Sequence, residues 1–189
     1  SGGWVLGLLA SVRDRISINH AVQALSAVSG ATALYQALAD DTITRLAPAD
    51  QRILYSAALL EIAPAGLIDA ALGTGGAAIL LSRLCDETPF VMPLEEHRDV
   101  YRLHQLFCEH VLRRIDARSP RWRLTISRAL ARAARAGGNT DLAVRLLLGA
   151  HDISGAVQII RRGIDDHLAA GRFGLAASWL DALPQAVVT

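Results

Sequence analysis

Two short triplets, Glu95-Glu96-His97 and Asp165-Asp166-His167, set carboxylates beside an imidazole and so invite a metal-binding or acid/base reading. Neither converges on a point. Adjacent helical residues point in different directions, and the first triplet falls at the polar tip of an extended segment. Glu109 and His110 have no partner at ligand spacing, and the Ser, His and Asp residues form no nucleophile elbow or comparable motif. No catalytic residue and no metal ligand is assigned, and the chain is expected not to be an enzyme by itself.

Cations carry more information. All 19 basic residues are Arg and none is Lys. A P-loop needs a Lys to reach the terminal phosphates, so this chain holds no phosphate-gripping loop of that kind. Schiff-base chemistry is excluded for the same reason. The net charge of +1 argues against nucleic-acid binding by bulk electrostatics. Charge is nevertheless uneven: Arg98 to Arg135 contains ten Arg against three acids. Arg113, Arg114, Arg118, Arg121, Arg128, Arg132 and Arg135 could form a face for phosphates. The alternatives are a solvated helix surface or a surface meeting an acidic neighbour. Cys85 and Cys108 form no CxxC or His-bearing zinc pattern and read as reduced, buried residues.

The elements that must position these groups are mainly helical. Hydrophobic residues reach 52% but aromatics only 5%, so the apolar content is Ala, Leu, Val and Ile rather than the clusters of a sheet protein. Apolar runs are too short for a bilayer, and Trp4–Ala10 lacks the basic flank of a signal peptide. Leu34, Leu38, Ile43 and Leu46 suggest a helix stopped near Pro48, and Pro48-Ala49-Asp50 starts the next. Short helices are expected at Ala65–Leu72 and at Ala77–Glu87, the latter with Ile79, Leu80 and Leu84 inward. Phe90–Leu94, with Pro93, suits an edge strand, and Asp99–Leu103 a return strand. A helix then runs from about His104 to Ala117 with Leu106, Phe107, Val111, Leu112 and Ile115 on one face.

Helices followed by a small hairpin make a winged-helix arrangement. Its would-be recognition helix, Ala77–Glu87, offers Ser82 and Arg83 but ends in Asp86 and Glu87, which repel phosphate. Pro120 marks the expected boundary. Helices follow at Arg121–Ala136, Thr140–Gly149, Ser154–Arg162, Ile164–Ala170 and Gly174–Leu183. Gly138, Leu142, Ala143 and Leu147 recur 33 positions later as Gly171, Leu175, Ala176 and Leu180, close to a tetratricopeptide period.

Three blocks in order resemble the maltose-activator type of LuxR-like regulators, among the signal-transduction ATPases with numerous domains. Gly3-Trp4-Val5-Leu6-Gly7-Leu8 is similar to the block that ends their ATPase core. Tyr101-Arg102-Leu103-His104-Gln105-Leu106-Phe107 resembles a Tyr-Arg-Tyr-His-His-Leu-Phe block. Trp179-Leu180-Asp181-Ala182-Leu183-Pro184 resembles a stretch in their helical repeats. Val5 stands where the family has Pro against the adenine, and Gln105 where it has a second His.

The resemblance implies a mainly α chain in three parts. Residues 1–29 would end the ATPase core, 30–118 would form the winged helix, and 119–189 would begin a tetratricopeptide-like superhelix. It implies a cytoplasmic protein with a P-loop ATPase upstream, ATP or ADP bound in the intact protein, and no cofactor in this chain alone. An effector or protein ligand would sit on the repeats, DNA would be met through a further C-terminal helix-turn-helix, and activation would bring self-association. His104 matches the histidine that contacts the ADP β-phosphate, and Arg102, Gly3 and Trp4 join it as nucleotide-sensing candidates. Alternatively, His104 is a satisfied histidine at a strand–helix junction, and the chain is a stand-alone DNA-binding winged helix with a helical dimerisation or ligand domain.

Overall fold

A computed structural model of the chain describes residues 29–94, 98–169 and 173–183. Gly3, Trp4 and both acid–imidazole triplets' side chains lie outside what it describes, so those readings stand as expectations. Helix α1 (Ser29–Arg45) leads to α2 (Pro48–Leu60), strand β1 (Ile62–Pro64), α3 (Ala65–Leu72), α4 (Ala77–Glu87), and strands β2 (Val91–Pro93) and β3 (Val100–Leu103). Helices α5 (Gln105–Arg118), α6 (Arg121–Ala136), α7 (Thr140–Gly149), α8 (Ile153–Ala169) and α9 (Phe173–Asp181) follow.

Proline and glycine set the joints. Pro48 opens α2, where its missing N–H costs nothing. Gly73 closes α3 in the left-handed conformation at φ 68°, donating back to Asp69. Asn139 caps α7 by accepting from the Leu142 N–H. Glu61, at φ 61°, turns α2 directly into β1, and its carbonyl accepts from the Leu103 N–H at 2.9 Å.

The sheet is antiparallel with order β1-β3-β2. Pro93 therefore lies on an edge strand, as its missing donor requires. The third strand, β1, is an addition to the expected hairpin: Ile62 pairs with Arg102 and Pro64 with Val100. The chain is mainly helical, with a small sheet embedded in a winged helix and more helices behind it.

Three apolar residues face outward against expectation. The stripe of α4 is Ala77, Leu80, Leu81 and Leu84, which leaves Ile79 on the opposite side at 75% exposure. In α5 the stripe is Phe107, Cys108, Val111 and Ile115, so Leu106 is exposed, and in α1 Ala39 and Ile43 displace Leu38. Cys85 is half-buried rather than buried. The expected break between Arg162 and Ile164 is absent, because α8 continues through Gly163 at a cost of about 1 kcal/mol relative to Ala that its packing outweighs. Leu147 is buried but its 33-residue counterpart Leu180 is exposed, so the echo does not carry an equivalent core position there.

One hydrophobic core runs without interruption from Ala39 to Ala156. It crosses Pro120 because α6 packs on α3 of the winged helix. Polar contacts reinforce the crossing. The Tyr55 hydroxyl of α2 donates to the Asp116 carboxylate of α5, which also accepts from Arg123 Nε of α6 at 3.0 Å. Farther along, Trp179 is buried with Val144 and Ile160, and its indole N–H donates to Asp141 at 3.1 Å. No helix among the described residues is long and apolar enough to cross a membrane.

Candidate functional site at the wing–helix junction

Strand β3 alternates as a half-buried strand should: Tyr101 and Leu103 point into the core, and Arg102 points out. The Tyr101 hydroxyl donates to the Ala78 carbonyl of α4 at 3.3 Å, which fixes the strand against that helix. One residue later His104 ends the strand and caps α5. Its backbone N–H donates to the Phe90 carbonyl at 2.8 Å, extending the β2–β3 ladder. Its carbonyl accepts from Phe107 and Cys108, the first bonds of α5. Backbone demands alone therefore hold His104 in place on both sides.

The ring of His104 lies in an aromatic setting. Phe107 stacks on Phe90 with centroids 4.6 Å apart, and Tyr35 meets Phe90 edge-on at 5.1 Å. Tyr35 also tilts against His104 at 6.3 Å. Burial lowers the His104 pKa, so the imidazole is neutral at neutral pH and has one N–H to give. His104 Nδ1 and the Tyr35 hydroxyl are both buried without a hydrogen-bond partner among the described residues. Unpaired buried polar atoms are costly. One of them, His104 Nδ1, belongs to the N-cap of a 14-residue helix, where the backbone favours negative charge, an arrangement suited to an anionic group.

Arg102 stands beside this site on the exposed side of β3, two residues from His104. Burial pushes the Cys108 thiol up to about 12, which makes it an unreactive core residue. Tyr35 and Phe90 were not legible as neighbours of His104, since no spacing links them. Their one signal was scarcity in a chain with three Phe, three Tyr and three Trp.

The basic stretch is partly neutralised by acids from within it and from other helices. Arg114 faces Asp40 at 3.1 Å, Arg123 bonds Asp116, and Arg128 Nε donates to Asp152 at 2.6 Å. On α4, Arg83 is shared between Asp50 at 3.5 Å and Glu87 at 4.0 Å. The surface of α4 that would face a groove of DNA is thus Ile79, Ser82 and an engaged arginine, between acids. No group of three or more His, Cys, Asp and Glu residues fit to hold a metal occurs among the described residues.

No curated protein matches the chain. The order of α2, β1, α3, α4, β2 and β3 is that of a winged helix, with the junction at His104 as its exit. Residues 39–123 match the family model of the MalT winged helix domain, and over that span it is this domain that the chain is similar to.

Proposed function

We propose that the chain is the regulatory part of an ATP-dependent, LuxR-type transcriptional activator, relaying nucleotide state from a P-loop ATPase domain to a helical sensor. The observation that carries this reading is His104, in the MalT-like span, with Nδ1 buried at the start of α5 and without a partner among the described residues. An ADP phosphate at that point would satisfy a ring N–H and sit in the field of the helix N-terminus. The absence of Lys agrees with nucleotide being gripped by another domain and sensed here. Helices α6 to α9 would begin the effector-binding array, with tetratricopeptide-like stacking, and DNA would be read by a further domain in a cytoplasmic, self-associating protein.

The test is His104→Ala in the full-length protein, with ADP retention and inducer dependence as readouts. Weaker ADP retention and activation at lower inducer are expected. Unchanged ADP affinity together with unchanged inducer dependence removes His104 from the mechanism.

A second reading, a stand-alone DNA-binding winged helix, draws on the exposed Arg113, Arg118 and Arg121. Tight, sequence-selective and salt-dependent binding of duplex DNA by this chain alone would favour it.

A further inference from the structure

Behind the winged helix, α7 packs against both α6 and α8, and a groove of about 1230 Å³ opens between the two outer helices. Its walls are cationic. Arg128, Arg132 and Arg135 line it from α6, spaced four and three residues apart and so on one helix face. Arg161 and Arg162 line it from α8. Among the described residues that line it, one carboxylate, Asp152, stands against these five guanidinium groups, and it is already bonded to Arg128. In a chain of net charge +1 this is a strong local concentration of positive charge. The lining is not polar throughout, because Ala136 of α6 and Val157 and Ile159 of α8 contribute accessible apolar surface.

We propose that this groove binds an acidic, amphipathic helical segment of a protein partner. Size is the first argument. A helix with side chains is about 10–12 Å across, and the stretch from Arg128 to Arg135 is about 10 Å long, so roughly two turns fit. Pockets for small molecules span about 300–1,000 Å³ and enclose most of the ligand, whereas this groove is larger and its four outer arginines are exposed. Chemistry is the second. Carboxylates on both flanks of a helix would meet Arg on both walls, with bidentate geometry available to each. An apolar stripe between them would cover Ala136, Val157 and Ile159. Duplex DNA offers no such stripe, and the Asp152 carboxylate opposes its phosphates.

The site deepens the sensor part of the reading above, naming the chemistry of its partner, but it does not need nucleotide. Its test is done on this chain with nucleotide absent, so it can fail while ADP sensing stands, and the reverse. The probe is a fluorescein-labelled peptide helix of about 15 residues, Glu flanking a Leu stripe, with a Gln-for-Glu twin. Saturable binding is expected, weaker by about tenfold or more for the twin. The pair Arg132→Glu with Arg161→Glu should lose about tenfold, while Arg113→Glu with Arg118→Glu, outside the groove, should keep binding. Circular dichroism should be unchanged in both, since all four side chains are exposed. Equal loss in both pairs would make the attraction a property of the whole surface and overturn the proposal. So would equal binding of a scrambled peptide without the Leu stripe. Displacement of the peptide by equimolar duplex DNA or tripolyphosphate would assign the groove to another ligand class.

Discussion

Arg128 and Asp152 lie 24 residues apart in sequence and meet at 2.6 Å, Nε to Oδ2, joining α6 to the start of α8. The other carboxylate oxygen accepts from the Gly155 N–H at 3.2 Å and the Ser154 hydroxyl at 3.1 Å, so one side chain both caps α8 and anchors the neighbouring wall. Asp152 is 7% exposed, and its carboxyl is held below the usual range, chiefly by the Arg128 hydrogen bond.

That dual role gives a signed pH dependence. A folded pKa below the unfolded one means stability that is complete above about pH 3.9 and lost as pH falls through the folded value. Asp152→Asn keeps a capping oxygen and should flatten this acid limb, while Asp152→Ala should cost about 1–2 kcal/mol at neutral pH. Urea unfolding across the acid range checks both.

Gly155 sits under that carboxylate. A Cβ there would lie 2.7 Å from Asp152 Oδ2 and 2.9 Å from its Cγ. Arg128 holds the carboxylate, so retreat means breaking an ion pair. Gly155→Ala should therefore destabilise by about 1–3 kcal/mol, although Ala is the better helix former. A higher urea midpoint for the variant would refute the arrangement.

At the wing, Phe107 is fully buried and stacked on Phe90. Phe107→Ala should lower stability by about 3–5 kcal/mol, and Phe107→Leu by less than half of that. Denaturant midpoints measure both.

His104 titrates in the opposite region of the pH scale. Burial holds it below its ordinary pKa of about 6.5, so the folded chain takes up the proton later than the unfolded chain. Acidification below about 6.5 should cost stability, with the penalty constant once the folded pKa is passed. His104→Gln should remove this component. Comparing midpoints at about pH 7.5 and 5.5 decides it, and an equal drop in wild type and variant would locate the pH dependence elsewhere.

Much of the helical layout was legible because Pro and Gly punctuate it. The bounds of α3, α4, α6 and α7 follow directly from Pro64, Gly73, Gly76, Pro120, Gly137 and the Gly149-Ala150 turn. Strand β1 was not legible. Ile62-Ala63-Pro64 is too short to show alternation and becomes a strand only by pairing with β3. Ile79 misled because a helix can carry an apolar residue off its stripe, and burial was awarded to Leu81 instead. His104 could be placed at the strand–helix junction from spacing, but Tyr35 reaches it only through the packing of α1. The cationic groove was hidden for a related reason: Arg161 and Arg162 lie beyond the Arg-rich stretch and join it only when α8 folds back over α7.

The core that passes beneath Pro120 has a mechanical consequence. Tyr55, Asp116 and Arg123 link α2, α5 and α6 across the expected boundary, and α3 packs on α6. Opening the chain at Pro120 therefore costs buried surface and polar contacts at once. Parting α6 from α2 and α5 there would uncover that core and break the Tyr55–Asp116–Arg123 contacts together.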